Sequence, residues 1–259
     1  MKTILTHALL PLLALAVPAL AVAETIAEPA PGLATLAFSD NRAPVSGLED
    51  INAVLSRIGV RLTRIEPPAG ALDLTKAAMA GPLSAEQSAE LLRLFTLDRE
   101  TVLAAATGAG RVPVIDGGGA LSTAETGVPP YPKVYDLASM GPADHLAAKN
   151  KFGRLHVNAT DDMTGVDEVM TLTAGGPWVW YFQLEEGVAV ELRMGTVLPG
   201  EQAWRISYPG LVPHGADFYA ETGICVAYIT GPETWQMRYE APVPQGDLMG
   251  TNPFIRFDG

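Results

Sequence analysis

Four side chains of this sequence could do chemistry together: His156, Asp162, Glu168 and His214. Two imidazoles and two carboxylates suit a borderline divalent metal such as Zn, Fe or Mn. The same groups also suit a general acid–base pair that needs no metal. His214 ends the stretch Trp204–Arg205–Ile206–Ser207–Tyr208–Pro209–Gly210–Leu211–Val212–Pro213–His214. There a strand enters a Pro-Gly turn and delivers one histidine, before Thr222–Gly223 and the apolar run Ile224–Ile229. Asp162 and Glu168 sit on the second acidic turn, Asp161–Glu168. Residues of equal parity on an extended strand share a face, so Asp162, Thr164 and Glu168 are expected to point the same way. His156 would join from an adjacent strand. Trp180 and Tyr181 are the expected pocket walls, with barrel core as their competing reading. Asp161 and Asp167 are expected on a solvated hairpin, and His145 on an exposed helical segment.

The elements that must position these groups fall into two textures. Ser46–Glu49 and Ser84–Gln87 read as capping boxes. The first opens a helix carrying Leu48, Ile51, Leu55 and Ile58 and ending at Gly59; the second opens one carrying Leu91, Leu92 and Phe95. Asp98 caps a third, through Ala106. Val60–Ile65 and Arg111–Ile115 read as strands. Asp116–Gly119 lacks the lysine and spacing of a phosphate loop and reads as a plain turn. Thr126–Pro132 is a stiff linker and the expected boundary. Beyond it, β-type runs recur at 152–158, 167–173, 177–184, 187–194, 202–208, 224–230 and 234–240. Val188, Val190, Leu192 and Met194 alternate with Ala189, Glu191 and Arg193, which predicts one buried and one wet face. The expected organisation is a leader over 1–23, a helix-rich α+β region over 24–125 and a β-barrel over 126–259.

The pattern over about residues 150–235 resembles the cupin superfamily of small β-barrels. The second cupin motif is matched by Gly200 and by Pro209–Gly210 through His214, with stretched spacing. If Glu168 takes the glutamate position of the first motif, its two histidine positions fall on Asp162 and Thr164. The helical N-terminal part ahead of a barrel is similar to 4-hydroxylaminobenzoate lyase-like proteins within that superfamily. The resemblance implies a mainly β cupin-like barrel, a divalent metal on His214, Glu168, Asp162 and His156, and His214 and Glu168 as catalytic groups.

The N-terminus pairs Lys2 with an apolar core over 8–20 and ends in Ala21–Val22–Ala23, the form of a secretory signal peptide cut before Glu24. A periplasmic or secreted protein is expected. A net charge of -12 argues against nucleic acid and anionic membrane surfaces as partners. Cys225 is the single cysteine, so no intramolecular disulfide forms, and its apolar run predicts a buried thiol. Two functions remain open: an exported metal-dependent lyase or isomerase acting on a small aromatic or oxygenated molecule, and a non-catalytic small-ligand-binding module. A homodimer is compatible with either, as is an interaction role for the N-terminal helices.

Overall fold

The computed structural model describes residues 27–111, 132–185, 187–230, 234–244 and 246–257. The expected leader, most of the strand at Arg111–Ile115, the glycine turn at 116–119 and nearly all of the Pro-rich linker lie outside the described residues.

Two five-stranded antiparallel sheets face each other. The first has the order β10(His214–Asp217), β7(Trp178–Gln183), β8(Ala189–Met194), β1(Ala34–Phe38), β2(Val45–Ser46). The second has the order β3(Arg61–Ile65), β9(Ala203–Tyr208), β6(Asp167–Gly175), β11(Gly223–Thr230), β4(Lys133–Asp136). A separate pair, β12(Gln236–Arg238) with β5(Val157–Ala159), lies at one end. Five helices complete the order: α1(Leu48–Leu55), α2(Ala71–Ala80), α3(Ala85–Phe95), α4(Arg99–Gly108) and α5(Pro142–Phe152). Among the described residues, no helix is long and apolar enough to cross a membrane.

The period-two pattern explains the core. Trp178, Trp180 and Phe182 of β7, Val190, Leu192 and Met194 of β8, and Trp204, Ile206 and Tyr208 of β9 all enter one cluster between the sheets. Each large aromatic ring removed from water contributes roughly 4–6 kcal/mol by area, as an upper bound. Val188 packs against the same cluster from just outside β8.

Both outer faces are covered, which corrects the wet face expected for β8. Ala189 is fully buried and Glu191 is 5% exposed. Val179, Tyr181 and Ala189 pack under Leu248, Phe254 and Ile255 of the C-terminal tail. Glu191 is paired with Arg193 at 2.5 Å. A tail more than fifty residues away in sequence leaves no trace in the alternation of β8 itself. On the other sheet, α2 and α3 cover Ala174, Ile224 and Val226, and α4 covers Val169 and Tyr228.

The helix signals are mostly local and mostly present. Ser84 and Gln87 form a capping box, and Asp98 accepts from the Thr101 amide. The other capping box is absent. Gly47 caps α1 without a side-chain bond, and Leu48 is 37% exposed. Gly59 ends that segment at φ +70°, where glycine avoids the Cβ penalty. The sheets cross the expected boundary near residue 126, because β1 pairs with β8 and β3 pairs with β9. Strands from the N-terminal segment satisfy edges that the later strands alone would leave open.

Candidate functional site

The site is built at the end of the barrel where β5, β6, β9 and β10 meet. His156 and His214 face each other across an antiparallel bridge, each backbone N–H donating to the other's carbonyl at 2.9 Å. That register places the two rings side by side, with centroids 4.5 Å apart at 60°. Asn158 lies two residues beyond His156 and so shares its face. Glu168 is the second residue of β6 and points inward in step with Met170 and Leu172. Tyr208, directly across from Glu168 on β9, points inward too.

The Pro-Gly turn holds the two halves together. Asn158 N–H donates to the Gly210 carbonyl at 2.9 Å, and Val166 N–H donates to the Asn158 carbonyl at 3.0 Å. A Cβ at Gly210 would lie 2.1 Å from the Val166 oxygen and 2.6 Å from the Asn158 oxygen. Only glycine lets the turn approach β5 this closely.

Glu168 is the hub. Its Oε1 lies 3.1 Å from His214 Nε2 and also accepts from Asn158 Nδ2. Its Oε2 accepts from the Tyr208 hydroxyl at 3.0 Å, and that hydroxyl accepts from Trp180 Nε1 at 3.3 Å. Glu168 is 4% exposed and His214 is 2% exposed. Burial and the neighbouring Glu168 carboxylate hold the Tyr208 phenol well above its ordinary range, so it remains a donor.

The histidine tautomers follow from their second nitrogens. His214 Nδ1 meets the Val212 carbonyl and His156 Nδ1 meets the Arg154 carbonyl, both at 2.7 Å. A carbonyl only accepts, so both Nδ1 atoms carry hydrogen and both Nε2 atoms are left as the reactive nitrogens. Burial, with His214 beside it, pushes the His156 imidazole well below its usual range and keeps it neutral. A neutral Nε2 on His214 would turn a lone pair toward the Glu168 carboxylate. Their contact therefore calls for a positive charge at that point, a proton or a cation.

Asn158 carries the same demand. Its Oδ1 is buried without a hydrogen-bond partner, while its Nδ2 sits 3.3 Å from His214 Nε2. Which end of an amide faces inward is an assignment from the surrounding network. Turned over, Oδ1 would join Glu168 Oε1 and His214 Nε2 as a third acceptor, an arrangement that only a cation favours. Together these three side chains would offer a cation one imidazole nitrogen, a carboxylate oxygen and an amide oxygen. Among the described residues, no three His, Cys, Asp or Glu side chains by themselves form a group that could hold a metal ion.

The cavity beside these groups is about 40 Å³. Trp180, Phe152 and Phe218 form its aromatic wall, with Phe218 5.8 Å from each of the other two rings. Trp235 and Met237 close it from the β12 side.

The structure brings together His156, Glu168, His214 and Trp180, and it separates two expected site residues from them. Asp162 is on the surface. The chain reverses between Thr160 and Thr164, with Met163 at φ +65°, and β6 begins only at Asp167. The parity argument therefore spans a turn rather than a strand. Asp162 accepts from the Thr160 hydroxyl and from the Thr164 amide, and these bonds hold its carboxyl below the ordinary range. It lines an outer groove with Asp161 and Arg238, and those two residues pair at 2.6 Å. Tyr181 points to the opposite face from Trp180, as adjacent strand residues must, and stacks on Phe254 at 6.0 Å.

Two background readings change as well. Asp167 is partly buried and paired with Arg111, and burial raises its carboxyl above the usual range despite that pairing. His145 reaches the Phe218 carbonyl through Nδ1 at 2.5 Å and is partly buried.

Sequence reasoning passed over Asn158 and Tyr208. A signal existed for each. His156 and Asn158 are two apart on one strand face, the spacing of the two histidines in the first cupin motif. Tyr208 continues the inward alternation of Trp204 and Ile206.

No protein-family model matches the sequence, and a search of curated proteins finds no match. Among solved structures, the chain is similar to an acireductone dioxygenase from Bacillus anthracis with a cadmium ion in its active centre. The TM-score is 0.52 at 15% identity, covering 78% of this chain and 95% of that one. The two facing sheets, with a histidine-bearing turn closing one end, are those of a cupin fold.

Proposed function

We propose that this chain is an exported cupin-type enzyme that binds one divalent metal ion and acts on a small oxygenated or aromatic molecule, by lyase or isomerase chemistry. One observation carries the reading: both histidines donate Nδ1–H to main-chain carbonyls, and His214 turns Nε2 toward Glu168 at 3.1 Å. That outer arrangement is typical of metal-ligating histidines. The structural neighbour's cadmium ion supports the same choice.

In this reading His214, Glu168 and Asn158 would hold the metal, with the His156 ring packed against His214. When bound, a divalent ion supplies Lewis-acid polarisation of a substrate oxygen. The chain's own residues do the rest. Tyr208 fixes Glu168 Oε2 and leaves Oε1 facing His214. Glu168 and His214 can exchange a proton with a group seated beside them. Trp180, Phe152 and Phe218 exclude water and offer flat faces to a planar substrate.

A second reading, a metal-free binding module, is favoured by one fact. Both Glu168 oxygens already have protein partners. Metal analysis separates the two. Purified protein would be stripped with chelator, loaded in turn with Zn, Mn and Fe(II), dialysed and analysed by mass spectrometry. One equivalent bound by the native chain, lost in His214→Ala and Glu168→Gln, supports the enzyme reading. No retained metal from any of the three would refute it and leave the binding module.

A further inference from the structure

A second pocket, of about 280 Å³, lies outside the barrel between α4 and the outer face of β3 and β9. Arg61, Thr63 and Arg64 line it from β3, Arg205 and Ser207 from β9, and Thr101 from α4. Because Trp204, Ile206 and Tyr208 point inward, Arg205 and Ser207 must point out. The chain has 17 Lys and Arg against 29 Asp and Glu, yet three arginines line this hollow and no carboxylate does.

The three arginines are not equally satisfied. Arg64 donates to the Gly32 and Gln202 carbonyls, lies 4.2 Å over the Trp204 ring, and has Glu66 and Glu201 nearby. Arg205 has one polar partner, the Thr171 hydroxyl at 3.1 Å from its Nε. Among the described residues, no carboxylate pairs with Arg205 or with Arg61. Arg61 lies against Gly108, where a Cβ would sit 1.6 Å from its Nη1. A side chain at residue 108 would therefore displace the guanidinium. Burial lowers Arg205 to about 10, so it still carries its charge at neutral pH. A partly desolvated cation without a counter-charge is costly, and acidic residues are plentiful in this chain but absent here.

We propose that this hollow binds a phosphate group, held by the guanidiniums of Arg205 and Arg61. Planar guanidinium forks match tetrahedral oxyanions in shape as well as charge. The group could arrive as inorganic phosphate or as a phosphate monoester, and the larger volume of the hollow suits the monoester.

Thermal unfolding of the full chain tests this, with inorganic phosphate and glycerol 1-phosphate titrated at constant ionic strength against sodium chloride. Both probes should raise Tm in a saturable way, and the one acting at lower concentration identifies the source. Arg205→Met and Arg61→Gln should each weaken the response about tenfold or more, the loss expected for a charged hydrogen bond. In phosphate-free buffer, Arg205→Met should melt at or above the native temperature, since it removes an unpaired desolvated charge. A native shift no larger than with chloride would overturn the proposal, as would variants that respond like the native chain. A lower Tm for Arg205→Met in phosphate-free buffer would make the arginine structural and overturn it too.

Discussion

Tyr208→Phe tests the hub of the cavity with the smallest change of shape. It deletes one oxygen from a side chain 2% exposed. That oxygen donates to Glu168 Oε2 at 3.0 Å and accepts from Trp180 Nε1 at 3.3 Å. A hydrogen bond to a carboxylate contributes about 1.5–3 kcal/mol, and stranding a buried N–H adds about 1 kcal/mol at the lower end of its range. The longer Trp180 contact argues for that lower end. The greater apolarity of phenylalanine offsets part of the loss, so the net destabilisation is about 2–3 kcal/mol. For a chain of this size that corresponds to a Tm fall of about 4–12 °C. Calorimetry in chelator, where no metal linkage enters, measures it. A double-mutant cycle with Glu168→Gln assigns the cause. The two changes share one bond, so their effects should fall short of additive by about 1 kcal/mol or more. On the metal-enzyme reading, Tyr208→Phe should also weaken metal binding about 10–100-fold, because the carboxylate loses its orienting partner. A Tm within about 1 °C of native, or strict additivity, would refute the claim that Tyr208 anchors Glu168.

Other expectations follow from single features. Gly210→Ala should destabilise the fold by about 2 kcal/mol or more, and it should disturb the Asn158 amide signal in NMR, because its Cβ collides with two backbone oxygens. Cys225 is fully buried and its thiol is raised by that burial, so a thiol reagent should label it only after denaturant is added. Mass spectrometry of exported protein should find Glu24, or a residue close to it, at the N-terminus; soluble protein that retains Met1 would sink the expected cleavage.

Much of this molecule can be read locally. Alternation places Val190, Leu192 and Met194 inward because the strand period depends only on backbone geometry. The Ser84–Gln87 box and the Asp98 cap form because their donors and acceptors are three residues apart. Burial of Cys225 follows from the apolar run around it. The importance of the Pro209–Gly210 turn is also legible, since few residue pairs reverse a chain so sharply.

The reading fails where distant segments decide. Asp162 looks like a site residue only if residues 162–168 are extended, and the Thr160–Thr164 turn prevents that. Tyr181 and Trp180 are indistinguishable by composition; the sheet sends one to the cavity and the other under the C-terminal tail. Arg111 and Asp167 are 56 residues apart, and their pairing could not be inferred from either neighbourhood.

The sequence by itself determined the strand periodicity, the helix caps and the turn that presents His214, because these depend on interactions within a few residues. Only the tertiary structure decided which polar groups converge. The His156–His214 bridge, the Glu168–Tyr208 register and the close approach of Gly210 to β5 are set by how strands pair across the barrel. Pairing is a choice among many long-range registers, settled by the whole core at once, and short windows of sequence do not contain it.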